Sequence, residues 1–134
     1  MLLIDGHGTP LNANIHSASP GEVTLIEPLL DSTVLPHRYP ARLIYDKAAD
    51  SDPLRKRLGW ERGIELICPH KRNRKRRRTQ DGRALRRYRK RWKVERSIAW
   101  LQNFRRLVTR YEYHAHLFQG FVHLGCLFTI LKRF

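Results

Sequence analysis

Cationic side chains dominate one continuous stretch of this 134-residue chain. From Lys71 to Arg91 there are thirteen lysines and arginines and a single acid, Asp81. Like charges repel one another, so this density opposes compaction unless an anionic partner compensates it. Over the whole chain, Lys and Arg outnumber Asp and Glu by 27 to 12, for a net charge of +15. Because arginine forks onto phosphate groups, the composition favours a polyanionic, phosphate-bearing partner.

The length allows one small domain with a modest core. The cysteines, Cys68 and Cys126, are far apart and lack a CxxC spacing, which predicts buried thiols in a cytosolic protein. No secretory signal is visible, and the apolar stretch 118–131 is too short to span a bilayer. We therefore expect a cytoplasmic protein without a membrane partner.

Short apolar segments separated by glycine and proline predict the elements of the first half. These are a hairpin around 6–10, a helix over 23–30 capped from Ser19, a strand over 42–45, a helix starting at Asp52 and ending near Gly59 or Gly63, and a strand over 64–68. A basic loop (70–82), a long helix (84–109) and a final helix (116–132) complete the pattern. The expected architecture is one α/β domain over 1–134, with a strand and helix part (1–69), the loop, and late helices (83–134).

Glu95 is the sole acid between Arg83 and Arg106. On a continuous helix it shares a face with Tyr88 and Trp92, which predicts that it points toward the packed side. An inward carboxylate needs a compensating partner, because burying an unpaired charge is costly. An internal ion pair with arginine and a divalent cation shared with a second carboxylate both satisfy this need.

Three further aspartates, Asp46, Asp50 and Asp52, follow the predicted strand over 42–45. Asp46 ends the strand, a place where α/β folds present functional groups, although a lone aspartate there is more often a turn or cap residue. Asp50 is expected in a turn, and Asp52 is expected to cap the helix that Pro53 begins.

Three sequence blocks carry a resemblance to a known family. They read DKAADSD (46–52), CPHKRNR (68–74) and RRYRKRWKVER (86–96), and NFRRL (103–107), RYE (110–112) and the DG-G-PL pattern of 5–11 continue the match. The chain resembles the transposases of small bacterial insertion sequences, which are DDE enzymes. The block around Glu95 is the specific part of this resemblance.

The resemblance implies a fold and a set of catalytic roles. The fold would be RNase H-like, an α/β mixed sheet flanked by helices, here N-terminally truncated and followed by two C-terminal helices. Asp46 would be the second catalytic acid and Glu95 the third, holding two Mg²⁺ or Mn²⁺ ions together with a first Asp. Tyr88 and Arg91 would position the scissile phosphate.

DNA, as transposon ends and target, is the implied partner, and the complete enzyme is expected to form a homo-oligomer. The residues expected to contact DNA, besides Tyr88 and Arg91, are Arg72, Arg74, Arg76, Arg77, Arg78, Arg105 and Arg106.

The sequence departs from the family pattern at three points. Gln102 stands where the family usually has lysine, and Ala49 stands where it usually has an aromatic residue. The first Asp of the family lies upstream of the hairpin that contains Asp5, so Asp5 is given a turn role. We therefore expect little or no activity from this chain alone, and an upstream-frame product is a possible source of the missing acid.

Two other functions fit the charge. A non-catalytic remnant of a transposase would still hold DNA through the basic loop. A small ribosome-associated RNA-binding protein would also suit the charge, but it does not account for the Tyr-Arg-Glu spacing and ranks last.

Overall fold

The computed structural model describes residues 1–33, 38–80 and 82–132, and they fall into two compact units. We call them the hairpin unit (1–20, 27–33 and 92–132) and the basic unit (21–26, 38–80 and 82–91). The expectation of one domain over 1–134 stays a prediction.

The elements alternate early in the chain and become helical late, as the sequence predicted. The strands in the described residues are β1 (Leu2–Ile4), β2 (Pro10–Ala13), β3 (Arg42–Ile44) and β4 (Glu65–Ile67). The α-helices there are α1 (Glu22–Asp31), α2 (Asp52–Arg62), α3 (Gly82–Tyr88), α4 (Trp92–Gln102), α5 (Arg105–Val108) and α6 (Ala115–Leu131). Short 3₁₀ turns cover Lys47–Ala49 and Arg89–Arg91.

The hairpin unit begins with the predicted antiparallel pair β1–β2. Asp5 Oδ1 accepts hydrogen bonds from the backbone N–H groups of His7 and Thr9, both at 2.8 Å. These bonds close the turn, in which Gly8 has a φ of 88° that favours glycine. The hairpin and the turn role of Asp5 are thereby confirmed.

Helix α1 agrees closely with the predicted helix over 23–30, but its start differs from the expected cap. Its first residue is Glu22, and Pro20 precedes the helix instead of opening it. Thr24 makes the starting contact, donating to the carbonyl of Gly21 from its backbone N–H and its hydroxyl. The predicted cap at Ser19 is therefore wrong.

The basic unit contains the parallel pair β3–β4, in which Leu43 lies opposite Leu66. Helix α2 packs against β4, and its Leu54 and Leu58 are fully buried. The hydroxyl of Ser51 caps α2 by accepting from the N–H of Leu54 at 3.4 Å. Asp52 was expected in this capping role but lies inside the first turn, which leaves its carboxylate for other partners.

The predicted single mixed sheet is not present among the described residues. They form two separate two-stranded sheets, one antiparallel and one parallel, with one in each unit. The α/β class holds, and each small sheet is completed by packing against helices, because a two-stranded sheet is only marginally stable alone.

The predicted long helix over 84–109 is interrupted. The 3₁₀ turn Arg89–Arg91 separates α3 from α4, and α4 ends before Asn103, whose N–H bonds the carbonyl of Trp100 in 3₁₀ fashion. The first break consists of three consecutive cationic residues, Arg89–Arg91. On an α-helix such side chains repel the cationic side chains three and four residues away. The sequence keeps a helical pattern of apolar residues over 84–109, but the backbone leaves the α-helical conformation at these two breaks.

Helix α6 supplies the core of the hairpin unit and confirms the predicted final helix. Its Cys126 is buried with Ala13 and Leu101, and Leu2, Phe104, Leu107 and Val122 pack against this cluster. In the basic unit Cys68 is fully buried. Both thiols are free, and burial raises the pKa of each, as expected for inert core cysteines. Within the described ranges, no helix combines the length and apolar character needed to cross a bilayer.

Candidate functional site

The carboxylate of Asp46 lies just beyond β3 in the basic unit. Its Oδ1 accepts from the backbone N–H of Ala48 at 2.7 Å and so caps the 3₁₀ turn Lys47–Ala49. The side chain keeps 31% of its surface exposed. One oxygen therefore has the capping role that is common for a strand-end aspartate, and the other is directed to a different partner.

Arg91 connects Asp46 with Tyr88 inside the basic unit. Its Nη1 donates to the phenolic oxygen of Tyr88 at 3.0 Å, and its Nη2 lies 3.8 Å from Asp46 Oδ2. The longer distance is a charge contact and exceeds hydrogen-bonding range. The structure thus brings three of the predicted site residues together.

Glu95 lies in α4 of the hairpin unit, and its side chain is exposed. The expectation that it points toward the packed side is wrong. The buried residues of α4 are Ser97 and Leu101, one helical turn apart, and Glu95 is two positions before Ser97 and so lies nearly opposite this stripe. Trp92, on the face predicted to be packed, is also 51% exposed.

Helix α4 is anchored on the turn 6–8 of the hairpin. Three of its side chains donate to the three successive carbonyls of that turn: Lys93 to the first, Arg96 to the second at 3.1 Å and Ser97 to the third at 2.7 Å. The Ser97 hydroxyl is fully buried. This contact fixes the helix that carries Glu95 to the start of the chain.

Two tryptophans hold Arg96 in place beside Glu95. The guanidinium carbon lies 4.7 Å from the ring centroids of both Trp92 and Trp100, one turn before and one turn after it. Cation–π contacts of this kind stabilise by roughly 0.5–1 kcal/mol each at exposed sites. These tryptophans therefore order the outer face of α4.

Asp50 is the central anion of the basic unit, although the sequence suggested only a turn residue. Its side chain is 2% exposed. Oδ2 accepts from the backbone N–H of Lys71 at 2.9 Å, and Oδ1 faces Nδ1 of His70 at 2.9 Å and Nη1 of Arg74 at 3.1 Å. Arg55 adds a longer contact of 3.4 Å.

These partners lower the pKa of Asp50. Burial by itself would raise the pKa of Asp50, but the bonds from Lys71 and His70 and the charge of Arg74 outweigh it and lower that pKa to about 2. The carboxylate is therefore ionised at neutral pH, and the sequence signal that could have revealed it was the isolated acid pair 50 and 52 in a strongly cationic chain.

Asp52 completes the anionic pair. Arg74 Nη2 lies 2.7 Å and 2.9 Å from its two carboxylate oxygens, and Arg55 Nη1 donates at 3.1 Å. The hydrogen bond from Arg74 lowers the pKa of Asp52, and the same contact raises the pKa of Arg74. Arg74 is 10% exposed and also donates to the carbonyl of Arg77. The structure thus pairs Arg74 with two protein carboxylates, and its expected contact with DNA stays a prediction.

The other predicted DNA-contacting residues of the loop are at the surface. Arg72, Arg76, Arg77 and Arg78 are all exposed, and Arg76 makes only a 3.5 Å contact with Asp52 among the ion pairs of the described part. Exposed arginines around an internally paired Arg74 make a cationic surface that can accept phosphates.

Arg105 and Arg106 lie on α5 in the hairpin unit. Both side chains are exposed, and Arg106 also donates to Glu112 at 3.0 Å and lies near the ring of Tyr111. Together with Tyr111 they line an open depression of about 440 Å³. A basic, aromatic-lined depression has the chemistry to contact a nucleotide.

The donor chemistry for a divalent cation is present but dispersed. The carboxylate oxygens of Asp46 and Glu95 are hard ligands of the kind Mg²⁺ and Mn²⁺ prefer. Within the ranges the structure describes, no group of three histidine, cysteine or acidic side chains is assembled for a metal. Asp46 and Glu95 belong to different units, so each is described only in its own surroundings.

Comparison with known proteins gives a consistent result. The family model described as "Transposase DDE domain" matches residues 1–130. A protein of Burkholderia cepacia described as "Putative transposase for insertion sequence element IS402" is 38% identical over 133 residues, covering 93% of this chain. The chain spans 58% of the length of that relative. No solved structure matches.

Proteins of this family generally use divalent metal ions. Since the family model covers nearly every residue, and the relative agrees with it, the chain belongs to the DDE transposases of insertion sequences.

Proposed function

We propose that this chain is part of a catalytic domain that cleaves and joins DNA strands during transposition of an insertion sequence. The observation that carries the proposal is the contact chain Asp46–Arg91–Tyr88, because the acid at the end of β3 meets an arginine and a tyrosine that lie far away along the chain. An acid, a cation and a phenol at such an edge can hold a phosphate close to a metal-binding oxygen.

The fold we propose for the complete domain is RNase H-like. The parallel pair β3–β4 with an acid directly after β3 supports this, as does the late helix that carries Glu95. The parallel pair β3–β4 would then be part of a larger sheet in a longer protein.

Asp46 and Glu95 are proposed as two of the three acids that hold Mg²⁺ or Mn²⁺. When bound, two such ions activate the attacking oxygen and stabilise the leaving oxygen of an in-line displacement at phosphorus. Asp46 would use Oδ2, since Oδ1 already caps the following turn. The third acid would come from sequence joined to this chain or from a separate product.

Arg91 is proposed to exchange partners when DNA binds. At 3.8 Å its contact with Asp46 is loose, so a phosphate oxygen can replace it with a shorter, charge-assisted bond. Tyr88 would keep the guanidinium in place through the 3.0 Å bond during this exchange.

The cationic surface of the basic unit is proposed to contact the DNA backbone. Its members are Arg72, Arg76, Arg77 and Arg78, and Arg105 and Arg106 would add a second contact in the hairpin unit. Arg74, which the sequence placed among them, is proposed to support this surface from inside. Binding of this type releases counterions and weakens steeply with salt.

We further propose that the complete enzyme is a homo-oligomer that uses α6. Half of the surface of each of several large apolar side chains on this helix is exposed, namely Leu117, Leu124, Leu127, Phe128 and Leu131. The helix contains no charged residue, so two copies of a chain with net charge +15 can approach there without repulsion.

The alternative is a DNA-binding protein without chemistry. Its support is that the cationic surface is well formed in the described residues, whereas no three-ligand metal group is. Both functions require DNA binding, so the discriminating property is metal binding at Asp46 and Glu95.

Iron-directed backbone cleavage tests this property without relying on transposition. Fe²⁺ replaces Mg²⁺ and gives one electron to added hydrogen peroxide, which yields Fe³⁺, hydroxide and a hydroxyl radical. The radical then cuts the protein backbone next to the metal. We expect fragments from cuts near Asp46 and near Glu95, both suppressed by Asp46→Asn and by Glu95→Gln and both competed by Mg²⁺. Unchanged cutting in either variant would contradict the metal role. Cutting at neither position, together with salt-sensitive DNA binding, would favour the non-catalytic alternative.

A further inference from the structure

The buried carboxylate of Asp50 holds both ends of the basic segment 70–80, one of them directly and the other through His70. His70 Nδ1 lies 2.9 Å from Asp50 Oδ1, and His70 Nε2 lies 3.2 Å from the backbone nitrogen of Thr79. A carboxylate can only accept and a backbone N–H can only donate, so the ring must donate from Nδ1 and accept at Nε2. His70 thereby bridges Asp50 to the far end of the segment.

Two more contacts hold the segment to the folded part of the basic unit. The N–H of Lys71 donates to Asp50 at 2.9 Å at the near end, and Gln80 Nε2 donates to the carbonyl of Leu66 in β4 at 2.7 Å at the far end. Asp50 itself is held against α2 by Arg55.

The middle of the segment is held by Asp50 and by the neighbouring Asp52. Arg74 reaches Asp50 and Asp52 with one guanidinium and also donates to the carbonyl of Arg77. This turns the chain back on itself between 74 and 77. A segment so rich in like charges would otherwise extend, because its side chains repel.

We propose that Asp50 is a positioning residue for DNA binding: through His70, Lys71 and Arg74 it folds segment 70–80 into a closed loop that presents its exposed arginines as one surface. The inference rests on the proposed DNA contact of that surface and adds the residue that orders it. Asp50 does not touch DNA, since its side chain is 2% exposed.

The proposal predicts a change in DNA affinity opposite in sign to that expected from charge alone. Asp50→Asn raises the net charge by one, and a more positive protein binds DNA more tightly when only long-range attraction counts. Loss of the ordered loop acts the other way, since a mobile loop must be ordered by the DNA at an entropic cost. Glu61→Gln is the matched control, because Glu61 has the same charge, lies on α2 and is exposed.

The test measures fluorescence anisotropy of a labelled DNA duplex at several salt concentrations with the full chain. We expect Glu61→Gln to bind as tightly as the wild type or slightly more tightly, and Asp50→Asn to bind several-fold more weakly. The log–log salt slope of Asp50→Asn should be flatter by about 0.9 for each phosphate that the disordered loop no longer neutralises. Equal affinity and slope in the two variants would overturn the positioning role while leaving DNA binding intact. A wild-type chain that does not bind the duplex would overturn the proposed DNA contact itself, and this proposal with it.

Amide hydrogen exchange checks the loop directly. The N–H groups of Lys71 and Thr79 should exchange slowly in the wild type and rapidly in Asp50→Asn, while Tyr45, whose N–H donates to the carbonyl of Ile67 in β4 at 2.9 Å, stays protected. If Asp50→Asn loses protection at Tyr45 as well, the test uses His70→Asn instead, because this variant keeps the Asp50 carboxylate and removes the ring that reaches Thr79. Rapid exchange at Thr79 with weaker DNA binding supports the proposal, and rapid exchange with wild-type binding refutes it.

Discussion

Arg91 Nη2 lies 3.8 Å from Asp46 Oδ2, and the other oxygen of Asp46 is held at 2.7 Å by the backbone N–H of Ala48. The short bond fixes the carboxylate, whereas the long contact can be displaced without unfolding the turn. This asymmetry suits a group that must be preorganised and yet exchange a partner during DNA binding.

The first prediction concerns Arg91 in a complete transposase that contains this chain. Arg91→Gln removes a donor directed at the proposed phosphate position and should lower the strand-cleavage rate constant by about 10²-fold or more. Arg89→Gln is the control, since it removes the same charge from an exposed position of the same 3₁₀ turn. Single-turnover cleavage of a labelled transposon end measures both. Equal losses in the two variants would indicate a general charge effect.

The second prediction separates activity from stability at Glu95. Because its side chain is exposed, Glu95→Gln should change the free energy of unfolding by no more than about 0.5 kcal/mol. In a complete transposase the same substitution should abolish metal-dependent cleavage. Urea unfolding and the cleavage assay test the two parts. A large loss of stability would show that the residue is structural.

The third prediction is a pH dependence from Asp50. Its folded-state pKa of about 2 is below the ordinary 3.8, so its stabilising effect is complete above about pH 5 and is lost as the pH falls toward 2. The shift corresponds to roughly 2 kcal/mol. We expect the free energy of unfolding to fall over this range more steeply in the wild type than in Asp50→Asn, with Asp52 contributing in the same direction. If the free energy of unfolding fell equally steeply with pH in both proteins, the buried ion pairs of Asp50 would be contradicted.

The fourth prediction uses two glycines of α2. Gly63 ends the helix with a φ of 65°, so Gly63→Ala should destabilise by about 1 kcal/mol. Gly59 lies inside the same helix, with open space where a Cβ would be, so Gly59→Ala should stabilise by about 0.5–1 kcal/mol. Thermal unfolding of both variants gives the sign of each effect. A higher stability of Gly63→Ala than of Gly59→Ala would contradict the left-handed C-cap at Gly63.

The fifth prediction concerns the anchor between α4 and the hairpin. Ser97→Ala removes the buried hydroxyl that donates to the carbonyl of Gly8 and should lower the free energy of unfolding by about 1 kcal/mol. Ser17→Ala, at an exposed position, should be nearly neutral. Chemical denaturation of the two variants measures the difference, and a neutral Ser97→Ala would mean that water replaces the hydroxyl.

Much of the local structure was predictable. The hairpin around Asp5, the strand that ends before Asp46, and α6 each depend on turn residues, apolar runs or caps within a few positions. The family was predictable as well, because blocks such as that around Glu95 are contiguous in the sequence. These features need no knowledge of distant residues.

The exposure of Glu95 was not predictable from helical periodicity. A wheel drawn through Tyr88 and Glu95 assumes an unbroken helix, and the 3₁₀ turn Arg89–Arg91 breaks it. Which side of α4 packs is decided by the fit of Ser97 and Leu101 in the hairpin unit, and that fit involves the other end of the chain.

The sequence by itself determined the family, the local elements and the presence of a strongly cationic segment. Only the tertiary structure decided which charges are buried and paired. Asp50 meets His70 and Arg74 across 20 and 24 residues, and it does so because β3, β4 and α2 pack closely enough to exclude water around it. A charge in a sequence has no dielectric environment until such packing forms, so its role as an anchor or a contact is a property of the fold.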